Sequence, residues 1–98
     1  MIIAVDFDDT ICINGKANTG LISRLQMEKR KGAIIILWTS RQGKRLKDAV
    51  SFCGRHGLFL DAVNENVPDT IRILGYNPRK VVADIYIDDK NVPLIIDY

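Results

Sequence analysis

Three apolar runs leave this chain few ways to fold: IIAVDF (Ile2 to Phe7), AIIILW (Ala33 to Trp38) and VVADIYI (Val81 to Ile87). Each is nearly continuous and rich in branched residues. That is the pattern of a strand buried on both faces, not of one alternating between core and water. LFLDAV (Leu58 to Val63) is a weaker strand candidate, and PLIID (Pro93 to Asp97) a short further one. Between the runs the apolar period lengthens. NTGLISRLQMEKRKG offers caps at Asn18 and Thr19, apolar Leu21, Ile22 and Leu25, and a terminating Gly32. In GKRLKDAVSFCGRHG, Leu46, Ala49, Val50 and Cys53 form the stripe of an amphipathic helix that stops near Gly57. A short third helix is expected to start at Pro68, bury Ile71 and Leu74, and end at Gly75. Strands alternating with helices call for right-handed crossovers. The expected fold class is therefore α/β: a three-layer α/β/α doubly wound parallel sheet, one domain over residues 1–98, with no linker or internal repeat.

Composition narrows the partners. With 98 residues, 47% hydrophobic, and a net charge of +2, the chain reads as one compact soluble domain. Its basic residues are dispersed, and the one cluster, EKRKG from Glu28 to Gly32, suits a solvated helix end. Nucleic acid is not indicated. Two cysteines, Cys12 and Cys53, are too few for a disulfide framework. No basic leader opens the chain, and no apolar segment approaches a membrane span. A cytoplasmic setting with free thiols and no membrane partner is expected.

Open parallel sheets bind ligands outside the carboxyl ends of their strands, and the polar residues fall there. Asp6, Asp8 and Asp9 follow the first run; Thr39, Ser40 and Arg41 the second; Asn64, Glu65 and Asn66 the third; Asp88 and Asp89 the fourth. Carboxylates gathered from two distant segments repel one another. Bound Mg²⁺ would resolve this, because hard divalent cations take oxygen ligands, and Lys80 and Lys90 flank the fourth strand. The Asp-x-Asp spacing suits a division of labour. Asp6 can attack phosphorus, and Asp8 can protonate the leaving alkoxide and then deprotonate water. Thr39 offers a hydroxyl to a phosphoryl oxygen, and amides at the start of the next helix could add donors. Arg41 either binds phosphate or anchors its loop. His56 reads as a surface group at a helix end and Cys12 as a packing residue, while Trp38 and Tyr86 read most simply as core or sheet-cover residues.

The set DFDDT, then ILWTSR, then a lysine before DIYIDD resembles the haloacid dehalogenase (HAD) superfamily of phosphatases and phosphotransferases, with all four family motifs in order over nearly the whole chain. The resemblance implies a Mg²⁺-dependent phosphomonoester hydrolase working through an aspartyl-phosphate. Asp6 matches the nucleophile and Asp8 the acid/base, whose backbone carbonyl also binds the metal. Thr39 takes the second-motif hydroxyl position, with neighbouring Ser40 a competitor, and Arg41 follows them. Lys80 matches the third-motif lysine, with Lys90 and Lys47 as alternatives. Asp88 and Asp89 form the acidic fourth motif, Asp88 as direct ligand and Asp89 direct or through water. One departure is Asp9, where many members carry glycine. The intervals between motifs leave no room for a cap domain. A capless site implies a macromolecular substrate end or cover from a second copy of the chain, alongside the small phosphorylated metabolites of the family at large. A non-catalytic HAD-like metal- or phosphate-binding module is the alternative. A receiver-type signalling domain fits badly, because its phosphorylated aspartate lies on a later strand.

Overall fold

The computed structural model describes residues 1–91, so the PLIID run lies outside the described residues. In chain order the elements are β1 (Ile2–Val5), β2 (Cys12–Ile13), β3 (Lys16–Ala17), α1 (Thr19–Arg30), β4 (Ile34–Leu37), α2 (Gly43–Arg55), β5 (Ala62–Val63), α3 (Pro68–Leu74) and β6 (Ile85–Ile87). The four principal strands form one parallel sheet in the order β5-β4-β1-β6. The register seats Ile3 between Ile35 and Ile85, and Val5 between Leu37 and Ile87. The chain steps outward from β1 through β4 to β5, then returns to lay β6 on the other side of β1. Connections that diverge from one strand open a crevice at its carboxyl end.

Alternate strand residues enter two apolar clusters. Ile3, Val5, Ile35, Leu37 and Ile87 pack with Leu21 and Leu25 of α1 and with Ala49 and Cys53 of α2. Ala4 and Ile36 pack instead with Val67 and Val81. Burial on both sides explains why these strands read as continuous hydrophobic runs. Asn18 caps α1 by accepting from the Leu21 amide at 3.3 Å. Among the described residues, no helix is long and apolar enough to cross a membrane.

Several details differ from the sequence expectation. Of the run Leu58 to Val63 only Ala62–Val63 is strand, and Val50 on the α2 stripe is exposed while Ala49 and Cys53 are buried. The segment before α1 is not only a loop: Cys12 to Ala17 form a small antiparallel hairpin. Asn14 and Gly15 turn it with φ of 51° and 76°, the doubly left-handed geometry in which Asn-Gly is favoured. The third helix has the expected ends, with Gly75 in the left-handed region at φ 81°, but a different buried face. Thr70 is its buried residue, while Ile73 and Leu74 are exposed. Last, β6 begins only at Ile85. The expected strand residues Val81 to Ala83 form a loop tied down by buried Asn66, which accepts from Val82 N at 2.7 Å and donates to the carbonyls of Pro78 and Lys80. Asn66 is thus a structural hub and not a group facing ligand.

Candidate active site at the carboxyl edge of the sheet

Asp6 leaves β1 with its amide still paired to Ile87 O of β6, at 2.9 Å. Its side chain is therefore held over the crevice between these strands. Its Oδ1 accepts from Phe7 N at 2.8 Å. Burial pushes the Asp6 carboxyl above its ordinary 3.8, and the charges of Asp8, Asp88 and Asp89 push the same way. The two acidic segments, far apart in sequence, do meet. Asp6 and Asp88 line one cavity of about 350 Å³ together with Trp38, Thr39 and Ser40.

Between β1 and the hairpin the chain turns tightly. Thr10 N and Cys12 N both donate to Phe7 O, and Asp9 N donates to Cys12 O at 2.8 Å. Asp9 takes φ 60°, a left-handed position where glycine is at ease and aspartate is among the tolerated exceptions. The exposed Asp9 thus keeps the turn that a glycine would make.

Asp8 is clamped. The Arg41 guanidinium donates Nη2–H to Asp8 Oδ1 at 2.7 Å and Nε–H to Oδ2 at 3.0 Å. This pair holds the Asp8 carboxyl below its usual range. Arg41 also lies over the Phe7 ring, 4.7 Å from its centroid, and donates to Arg45 O at 3.2 Å. Of the two roles open to Arg41, the observed one ties its loop to Asp8.

Thr39 follows β4, and two contacts fix it. Its amide donates to Asn64 Oδ1 at 2.8 Å, and its Oγ1 accepts from Arg41 N at 3.2 Å. Asn64 sits just past β5 at φ 55°, so a strand-end asparagine positions the hydroxyl of the neighbouring strand. Sequence reasoning placed Asn64 on this edge but gave it no task. Its signal is an Asn, tolerant of the left-handed region, at a strand end.

Asp88 and Asn91 exchange backbone hydrogen bonds of 3.1 and 3.3 Å, and Asp88 Oδ1 accepts from Lys90 N at 2.9 Å. Asp89 lies exposed in this turn and reaches Asp6 through charge. Lys80 Nζ lies 5.7 Å from the centroid of the Tyr86 ring. Among the described residues, no group of three or more His, Cys, Asp or Glu side chains stands ready to hold a metal ion. Trp38, expected in the core or covering the sheet, is instead 41% exposed on the cavity wall. His56 caps the end of α2 and stacks on Phe52, at 4.5 Å between centroids.

The fold and this edge define an α/β protein with a parallel sheet whose strands β1, β4 and β6 deliver carboxylates and a hydroxyl to one crevice. No family model and no curated protein matches the chain. The solved structure of a conserved protein from Bacteroides thetaiotaomicron is similar to it, at 35% sequence identity and a TM-score of 0.79, over 94% of this chain and 78% of that one. The chain belongs to the family of that conserved protein.

Proposed function

We propose that the chain is a HAD-type phosphatase: a Mg²⁺-dependent phosphomonoester hydrolase on a three-layer, doubly wound α/β/α sheet, working through an aspartyl-phosphate. The observation that carries this reading is the convergence of Asp6, Thr39, Ser40 and Asp88 on one cavity from the ends of three strands. The division of the core into two clusters, one for each set of alternate strand residues, supports the layered sheet.

The donor set suits a hard cation. Asp6 is partly desolvated and repelled by three carboxylates, and Mg²⁺ commonly takes only one or two carboxylates, completing its shell with waters and phosphate oxygens. The carboxylates of Asp6 and Asp88 with the Asp8 carbonyl would hold it, Asp89 joining directly or through water. When bound, the ion supplies positive charge to the phosphoryl oxygens.

The side chains divide the rest of the work. Thr39 Oγ1 and Ser40 donate to phosphoryl oxygens. Asp6 Oδ1 is occupied by the Phe7 amide, which leaves Oδ2 to attack phosphorus while the bond to the departing alcohol oxygen breaks. Asp8 gives its proton to that oxygen. Water then attacks the phosphoryl group and returns a proton to Asp8, releasing inorganic phosphate and free Asp6. An Asp8 paired to Arg41 is ionised and has no proton to give. The incoming phosphate therefore has to draw Arg41 away, which it can do by offering the guanidinium a second bidentate partner, and the freed Asp8 then takes up a proton from water or from the monoanion of the ester before it acts. Lys80 is the cation assigned to balance the phosphoryl charge. The open edge suits a macromolecular end or cover from a second copy.

The test is phosphate release from a panel of phosphate esters with and without Mg²⁺, in the wild type and Asp8→Asn. A loss of about 10²–10⁴-fold in turnover on Asp8→Asn, with Mg²⁺ binding retained, is expected. The Asp8–Arg41 pair favours one second reading, a non-catalytic binding module in which Asp8 serves only to fix the loop. Under that reading the panel releases no phosphate at all.

A further inference from the structure

Trp38 follows directly on the buried strand residues Ile35 to Leu37, yet its indole is 41% exposed. Leaving so large a ring in water forgoes burial that the adjacent core could provide. The ring is nonetheless fixed. Tyr86 meets it edge-on, at 5.5 Å between centroids and 61° between planes. The Tyr86 hydroxyl donates to Val81 O at 2.7 Å and accepts from Ala83 N at 3.1 Å. The backbone amide of Trp38 donates to Val5 O at 2.9 Å. The result is a rigid aromatic wall on the same cavity as Asp6, Thr39, Ser40 and Asp88.

We infer that Trp38 is a stacking platform for a nucleobase, and that the substrates are nucleotides: phosphomonoesters whose alcohol carries a base. The inference rests on the phosphatase reading of this site and names its substrate class. The polar side chains lining the cavity, among the described residues, are the four already assigned to the phosphoryl group or the metal. A sugar ring laid on the indole would offer it only a C–H face, its hydroxyls going to water. A base instead presents a π-face that stacking satisfies and leaves its edge in open water. The cations around the site argue in the same direction. Lys80 stands over Tyr86, the ring that meets Trp38, and the charge of Arg45 reaches Asp8. Such a border suits the internucleotide phosphates of an oligonucleotide end more than a phosphotyrosine within a peptide, and does not bear on a free mononucleotide. Free mononucleotides and the phosphorylated end of an oligonucleotide share this chemistry, and the open cavity admits both.

Trp38 is the sole tryptophan of the chain, so its emission reports on the site directly. The full chain carrying Asp6→Asn, which leaves the ester intact, is titrated with adenosine 5′-monophosphate, a 5′-phosphorylated dinucleotide, ribose 5-phosphate and a phosphotyrosine peptide. Saturable quenching by the nucleotides is expected, at concentrations at least about tenfold below those needed with the other two ligands. The stronger of the two nucleotides identifies the source. In the active protein, Trp38→Ala should raise the nucleotide KM about tenfold or more, and Trp38→Phe should recover most of that loss. Ribose 5-phosphate or the phosphopeptide binding as tightly as the nucleotides, or a nucleotide KM unmoved by Trp38→Ala, would overturn the inference. Quenching by nucleotides without phosphate release from any ester sinks the phosphatase reading and leaves the stacking site standing. Phosphate release from sugar phosphates with no quenching by nucleotides does the reverse.

Discussion

Replacing Arg41 by methionine removes the one cation hydrogen-bonded to Asp8 among the described residues, and its effect can be worked out in parts. Arg41 makes the two bonds to Asp8, of 2.7 and 3.0 Å, and lies 4.7 Å from the Phe7 centroid. The paired side chains are 18% and 45% exposed, so solvent screening keeps the ion pair at up to about 1 kcal/mol, far from the value of a buried pair. The guanidinium over Phe7 adds about 0.5–1 kcal/mol, part of which a methionine sulfur on the same ring restores. The sum is about 1–1.5 kcal/mol, or roughly 5–10 °C in Tm for a chain of this size. The two parts separate with pH. The folded pKa of Asp8 is lowered from 3.8. The ion-pair part is therefore complete above the unfolded value and disappears as pH falls through the folded one. The ring contact does not titrate, because arginine stays charged throughout. Thermal unfolding of wild type and Arg41→Met, followed by circular dichroism, should show a Tm gap that is constant from neutral pH to about pH 5 and narrows below about pH 4. A gap as wide in acid as at neutral pH, or no gap at neutral pH, would refute the argument.

Two other outcomes follow from the same geometry. Asn64→Ala deprives the Thr39 amide of its acceptor and puts alanine at φ 55°; it should lower turnover on any substrate the protein hydrolyses by about tenfold and lower Tm by roughly 5 °C or more, and unchanged kinetics would remove Asn64 from the site. Burial pushes the Cys53 thiol up to about 11, so in the folded protein it should resist alkylation at mildly alkaline pH and react only on unfolding, as mass mapping of the labelled cysteine would show.

The sequence exposes the parts of this fold that depend on continuous burial and hides those that depend on single side-chain contacts. β1 and β4 were legible because residues such as Ile3 and Ile36 are buried within the sheet, which leaves an unbroken apolar run; β6 was legible in place but not in extent, since its run reaches back into a loop held by Asn66. The ends of α1 and α3 were legible because Asn18 and Gly75 are capping residues with local signals. The face of α3 was not, because Thr70 is buried by its surroundings, while Ile73 and Leu74 are apolar but exposed. The hairpin over Cys12–Ala17 carried a readable signal in Asn14-Gly15, which a search for helix and buried-strand periods passes over. At the site, the strand-end rule placed Asp6, Thr39 and Asp88 on one edge. It could not show that Arg41 turns back onto Asp8, that Asn64 holds Thr39, or that Asn66 ties down a loop, since each depends on contacts across at least eleven positions of sequence.

The account depends most on Asp6 and Asp88 acting together on one divalent ion, and calorimetric titration with Mg²⁺ tests this directly. The wild type should bind a single ion, and Asp6→Asn and Asp88→Asn should each weaken that binding by about tenfold or more. A wild type that takes up no Mg²⁺, or an Asp88→Asn chain that binds it as tightly as the wild type, would contradict the account.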